Sequence, residues 1–438
     1  MPESVRATSV EEAFDALDPF ALVGPSDPFF ADFEALLPAE HYGVSAKLKR
    51  HFRSIQTLGR WQHVGIVGHK GTGKTTLVRK AMGELRDKGV MPVQINAQLA
   101  VDQGGFTFAD LMLIIARAVI ACLEEQSIAL APELVDNVYH WFSEELLEEQ
   151  QRREILGTLE GSVGAENKLA LLAAFSAKVT AALKSGTEYR KVIRSRAERD
   201  PQALVRHVNL LLDGAHAALA ARSQQLCVIL DNLEKIPNRA LIDEAVLRRA
   251  EEFRALRCHL LFFFSPADHY SPRTVQAGQA FSLVTVPVLP VRFLGDPPQM
   301  VRPEAKRAIE RLLDARVMLD KVFADVDGCL EALARLCGGH VRDLLTLTRA
   351  AGEMAEPERI SVAQIERAAR RMARERAVLM RPQDWPRAVE ISRTNLVENR
   401  DEDSHLILHS CVLNYDGDPW WDVHPVLRDD PRLVAEGG

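Results

Sequence analysis

One short string fixes more of this chain's fold than any other feature. Residues 68–76 read Gly68-His69-Lys70-Gly71-Thr72-Gly73-Lys74-Thr75-Thr76, directly after the apolar run His63-Val64-Gly65-Ile66-Val67. Four free positions stand between Gly68 and Gly73, and Lys-Thr follows, so this is a P-loop pattern in a strand-to-helix setting. Glycines let backbone N–H groups turn inward around a phosphate, and Lys74 supplies a point charge to β and γ oxygens. The Thr75 hydroxyl reaches Mg²⁺, and the helix from about Thr76 presents its positive end to the anion. The string predicts a nucleoside triphosphate site, with ATP/ADP and Mg²⁺ as cofactors.

The rest of the composition is that of an ordinary soluble chain. Its 438 residues are enough for two to four domains, with 47% hydrophobic and 26% charged residues and a net charge of −7. The six cysteines are scattered, with no C-x-x-C pair, and read as buried thiols of a reducing compartment. The acidic N-terminus carries no visible signal peptide. The most apolar windows, 111–123 and 169–183, are too short to span a bilayer. A cytoplasmic protein with no membrane partner is expected.

Periodicity divides the chain. Residues 1–45 form an irregular lead-in rich in Pro, Phe and Asp. A P-loop core covers 46–295, with a helical insertion at about 107–221 that is broken by a Gly-Ser stretch at 157–164. Val93–Asn96, Leu226–Asp231, Leu260–Ser265 and Leu283–Val286 read as further strands. Their apolar runs suit a parallel sheet covered on both faces. A Pro-rich linker is expected at 287–303, a helical lid within 296–375, and a winged-helix-like domain at 376–438. That last domain contains a hairpin, Cys411–Tyr415 and Trp420–Val423, turning at Asp416-Gly417-Asp418. The fold class is therefore α/β: a P-loop parallel sheet with a long helical insertion, an α-helical lid and a C-terminal winged-helix-like domain.

Four further segments carry a family resemblance. The strand ending in Asp231 resembles a Walker B strand, whose aspartate helps hold Mg²⁺ beside Thr75. Ser265 ends the next strand, where AAA+ ATPases place a polar sensor-1 residue. Gly338-Gly339-His340-Val341-Arg342 resembles the Gly-Gly-x-x-Arg sensor-2 segment of origin-recognition-type AAA+ ATPases, which implies that Arg342 swings onto the phosphates. Val423-His424-Pro425, in a hairpin-to-helix corner, looks like the Met-His-Asp motif of STAND signalling ATPases. That likeness implies that His424 contacts the β-phosphate of ADP in a closed state. Together they resemble an AAA+ ATPase of the origin-recognition/STAND branch.

The chain departs from that pattern in three places. Asp231 is followed by Asn232 rather than Glu, so the nearest acid that could activate water is Glu234. No arginine follows the sensor-1 strand, which leaves Arg248, Arg249 and Arg273 as candidates for a trans-acting finger. No repeat array follows the hairpin to act as a ligand sensor.

The resemblance implies a slow ATPase switch that controls self-association or a protein effector, with a role in bacterial defence signalling. The alternative is a DNA-loading or transposition-regulator ATPase. Charge separates the two: residues 396–438 hold ten acids against three arginines, which repels phosphates. Residues 178–199 hold seven basic residues against two acids, a stretch that could touch nucleic acid or form a solvated helix face. A metabolic kinase has no use for the lid and hairpin. The switch is the favoured reading and nucleic acid the less favoured partner.

Overall fold

The computed structural model describes residues 6–58, 60–145, 147–150, 153, 168–185, 188–269, 281–415 and 420–436. The Gly-Ser break at 157–164, the end of the acidic segment at Glu154, Arg273 and the hairpin turn Asp416-Gly417-Asp418 lie outside them.

Five parallel strands form the central sheet: β1 (His63–Val67), β2 (Val90–Asn96), β3 (Gln225–Asp231), β4 (His259–Phe264) and β5 (Ser282–Thr285), in the order β2-β3-β4-β1-β5. β4 therefore lies between the strand that feeds the P-loop and the strand that ends in Asp231. Alternation sends successive side chains to opposite faces. Val64, Ile66, Ile229, Leu261 and Phe263 enter one core, while Val67, Val228, Leu230, Phe262 and Phe264 enter the other. Both faces are covered, which is why the strands are unbroken apolar runs.

Helices fill the two layers. α1 (Val10–Ala16), α2 (Val44–Leu58) and α3 (Lys74–Arg86) contribute to the first core. The insertion between β2 and β3 builds the second from α4 (Phe108–Glu125), α5 (Pro132–His140), α6 (Lys168–Ser185), α7 (Glu188–Arg199) and α8 (Pro201–Ala220). α4 starts at a capping box, Thr107 with Asp110, and buries Phe108 through Ala116 without interruption because neighbours surround it.

After β5 come α9 (Pro303–Asp314), α10 (Val326–Cys337), α11 (Val341–Ala355) and α12 (Val362–Leu379). They are followed by α13 (Asp384–Thr394), α14 (Asp401–Leu408) and an antiparallel hairpin, β6 (Val412–Asn414) with β7 (Trp421–Val423). The helix–helix–hairpin order is winged-helix-like. These parts share the first core with β1 and β3.

Two expectations change. The lead-in is not wholly irregular: it contains α1 and is stitched to the lid by Ala7 N–H to the Arg316 carbonyl (2.9 Å) and Met318 N–H to the Ala7 carbonyl (2.8 Å). The Pro-rich segment from 287 is not a loose linker at its start. Val288, Leu289 and Val291 are buried, Val288 N–H donates to the Asn414 carbonyl (3.0 Å), and Leu289 N–H donates to the Gly339 carbonyl (2.9 Å). Prolines here remove donors from an irregular segment that is bonded to both lid and hairpin.

Candidate functional site

β1 ends at Val67 beside Phe264, and Gly68 N–H donates to the Phe264 carbonyl at 3.2 Å, so the P-loop opens at the carboxyl edge of the sheet. This is where parallel α/β sheets bind ligands. Lys74, the first residue of α3, is buried. Its Nζ donates to the carbonyls of Gly68 and His69, each at 2.8 Å, and pairs with Glu234 Oε1 at 3.3 Å. Burial lowers its pKa, while the charge of Glu234 works the other way. Thr72 Oγ1 donates to the His69 carbonyl at 3.0 Å, and Thr76 Oγ1 to the Val23 carbonyl at 3.1 Å.

Thr75 Oγ1 lies 3.1 Å from both carboxylate oxygens of Asp231, at the end of β3. Burial and the charge of Glu234 push the Asp231 carboxyl above its ordinary range. A cation beside it would relieve both effects, and the hydroxyl–carboxylate pair is a donor set suited to Mg²⁺. Among the described residues no group of three His, Cys, Asp or Glu side chains is placed to hold a metal ion alone.

Glu234 sits in a short helical turn after Asn232, whose left-handed backbone (φ 67°) bends the chain back toward the P-loop. Its carboxylate is buried, and Oε2 has no hydrogen-bond partner. Since Oε1 faces Lys74, Glu234 offers one unclaimed acceptor in the same cleft.

The lid closes the cleft through Arg342. Its backbone N–H donates to the Gly71 carbonyl at 3.1 Å, and its guanidinium lies 5.2 Å from the centre of the Phe20 ring. Gly71 has φ 94°, and a Cβ there would stand 2.6 Å from Arg342 Cβ, so only glycine allows this approach. The cleft is lined by Gly71, Gly73, Lys74, Thr75, Thr76, Glu234 and Arg342 at one end. Phe20, Phe29, Lys80, Leu312, Arg316 and Leu345 line it elsewhere. The lead-in and α9 residues escaped sequence reasoning; the only hint was the phenylalanine content of residues 1–45.

Other expected residues are placed differently. Ser265 is buried, its hydroxyl accepts from Ala267 N–H at 3.3 Å, and its N–H donates to Asp268; it caps a turn and does not line the cleft. His424 is fully buried, with Nε2 3.0 Å from Asp343 Oδ2 and Nδ1 accepting from Val426 N–H at 3.3 Å. Both ring nitrogens are committed inside the lid–hairpin interface, so the ring does not face a β-phosphate as the STAND likeness implied. Burial takes its pKa down to about 3.

His69 and Lys70 instead carry contacts that were not foreseen. His69 Nε2 accepts from Asn414 N–H at 3.3 Å, and the Lys70 carbonyl is 2.8 Å from His340 Nε2. Arg248 pairs with Asp243 and Glu244, each at 3.2 Å, and Arg249 with Glu252 at 2.9 Å. The basic stretch is partly spent on structure: Arg190 pairs with Asp102, Arg194 with Asp110, and Arg196 donates to the Leu147 carbonyl at 2.9 Å.

No family model matches the chain, and no curated protein does either. Among solved structures it is similar to the ORC2 protein of Aeropyrum pernix in its ADP form (13% identity, TM-score 0.38, 93% of this chain and 96% of that one). It is also similar to a Walker-type ATPase of Pyrococcus abyssi (12% identity, TM-score 0.44, 94% and 98%). A third is the Aeropyrum pernix ORC1 protein in complex with DNA (16% identity, TM-score 0.39, 94% and 96%).

Proposed function

We propose that this protein is an AAA+-type ATPase of the origin-recognition kind, which binds ATP and ADP with Mg²⁺ between its P-loop core and its lid. The observation that carries the reading is that Lys74, Thr75, Glu234 and Arg342 line one cleft, with Asp231 hydrogen-bonded to Thr75 behind it, and that they come from three separate parts of the chain. Loop amides of residues 71–76 and Lys74 would hold the β and γ phosphates. Thr75 and Asp231 would hold Mg²⁺, which supplies charge neutralisation on those oxygens. Glu234, with its unclaimed oxygen, would orient the attacking water, and Arg342 would contact phosphate from the lid.

Because the lid shares its core with the hairpin region, nucleotide state is the natural control over that region's docking. This supports a switch acting on self-association or an effector protein. A defence-signalling role drew on His424, and the commitment of its ring to Asp343 removes that support.

A second reading, duplex DNA as partner, is favoured by one surface. On α12, Arg367, Arg370, Arg371 and Arg374 are all exposed, against Glu366 and Glu375. One of the similar structures was solved with DNA, and ADP or its triphosphate analogue was present in others.

Calorimetry with ADP and with a non-hydrolysable ATP analogue, each with Mg²⁺, tests the main reading. Saturable binding that is lost in Lys74→Ala is expected. Glu234→Gln should keep that binding and slow single-turnover hydrolysis by on the order of 10². Equal turnover in Glu234→Gln would remove Glu234 from the chemistry, and tight binding by folded Lys74→Ala would remove the P-loop assignment.

A further inference from the structure

Three consecutive P-loop residues are bonded to the C-terminal half of the chain. His69 Nε2 accepts from Asn414 N–H in β6 (3.3 Å), the Lys70 carbonyl faces His340 Nε2 (2.8 Å), and the Gly71 carbonyl accepts from Arg342 N–H (3.1 Å). The latter two belong to the lid, but the first reaches past it to the hairpin. His69 is buried, and Trp421 of β7 stands edge-on to its ring at 6.0 Å between centroids.

Burial, with the charges of His340 and Lys74, holds the His69 imidazole well below the usual histidine range. The ring is therefore neutral, and Nε2 keeps the lone pair that Asn414 needs. The other side of the same residue is engaged too: the His69 carbonyl accepts from Lys74 Nζ at 2.8 Å and from Thr72 Oγ1 at 3.0 Å. One residue thus joins the phosphate-binding ammonium to the hairpin backbone.

We propose that His69 is a positioning residue through which phosphate binding loosens the C-terminal hairpin from the core. This rests on the reading of the cleft as a nucleotide site. Phosphate oxygens compete with the Gly68 and His69 carbonyls for Lys74 Nζ, since a charge-assisted bond to phosphate is the stronger. Drawing Nζ off releases the peptide that orients the imidazole, and a displaced ring breaks the bond that Asn414 N–H makes to it, at the cost of one hydrogen bond. The bonded hairpin and the inward-turned lysine therefore belong to one state, and ligand biases the chain toward the other. Reciprocity requires that loss of the hairpin bond tightens nucleotide binding by the same factor that ligand loosens the hairpin.

Hydrogen exchange on the full chain, with peptides covering 411–415 and 420–424, reads hairpin docking directly. Calorimetric titration of ADP with Mg²⁺ reads affinity on the same samples. In the wild type, saturating ADP should speed exchange of the hairpin amides. His69→Leu should show the faster exchange without ligand and bind ADP about fivefold more tightly, the factor that one ordinary hydrogen bond carries. His69→Gln, which restores an acceptor, should recover slow exchange.

Unchanged hairpin exchange in wild type at saturating ADP overturns the proposal, and this arm needs no variant to fold. Wild-type exchange and ADP affinity in a folded His69→Leu overturn it as well. Failure of the nucleotide reading looks different: the wild type would then show no ADP binding in the titration at all.

Discussion

At the scale of single residues, the site's most consequential pair is Lys74 with Glu234, both buried and 3.3 Å apart. Breaking a buried pair from one side leaves a charge without compensation, at roughly 3–5 kcal/mol in general. Lys74→Ala should therefore lose stability as well as nucleotide affinity, and adding Glu234→Gln to it should restore much of that stability. Chemical denaturation of both single variants and the double variant measures the coupling; strictly additive losses would mean the two side chains do not interact. A second residue-scale effect concerns pH. Burial pushes His259 and His424 down to about 3. Each stays neutral in the folded chain while the unfolded chain takes up a proton below about 6.5, so the unfolded state binds more protons in that window. Stability is thus full above about 6.5 and falls as pH drops toward 3, by about 1.4 kcal/mol per unit for each such histidine. Denaturation midpoints at pH 7.5 and 5.0 check the sign, and a midpoint that rises on acidification would refute it.

At the scale of elements, the turn before α11 brings lid and core together. Gly339 has φ 79°, and a Cβ there would lie 2.0 Å from the Leu289 carbonyl oxygen. Gly339→Ala must therefore displace backbone against backbone, and should cost more than about 2 kcal/mol while weakening nucleotide binding through Arg342. A stable Gly339→Ala with normal binding would show that the lid does not need this contact. Which elements were legible in the sequence follows from how local their causes are. β1, β3 and β4 could be read because strands buried on both faces need apolar runs of the observed length. The P-loop pattern was legible because its glycines answer to local geometry. The partners of Ser265 and His424 were not legible, because each side chain is claimed by groups that proximity in sequence does not reveal, or reveals only as a cap. The cleft walls from Phe20 and Phe29 to Arg316 come from segments nearly 300 residues apart, and no periodicity encodes that meeting. The packed stretch at Val288–Val291 was read as a linker since its prolines signal irregular backbone, and irregular backbone need not be exposed.

At the scale of the whole molecule, the charge distribution decides what kind of contact with duplex DNA the chain can make. The net charge of −7 and the ten acids of residues 396–438 oppose phosphate over most of the C-terminal surface. Arg190, Arg194 and Arg196 of α7 are occupied by the insertion's own acids and carbonyls, so the basic stretch offers less than its count suggests. α12 is different: four of its five arginines are exposed, and of those four only Arg371 is paired to a carboxylate within the helix, Glu375 at 3.0 Å. If duplex binds there, the number of contacts limits the salt dependence. Each phosphate neutralised contributes about −0.9 to the slope of log affinity against log salt, so four arginines give a slope no steeper than about −3.6. Fluorescence anisotropy of a labelled duplex with the full chain should show weak, sequence-independent binding with that modest slope. Reversing Arg370 and Arg374 to Glu should abolish it, since the changed residues are exposed and lie outside the nucleotide cleft. Affinity that persists in the reversed variant, or a slope well beyond −4, would place the DNA on another surface. Either result would tell against the α12 face and make a protein partner the better account of its arginines.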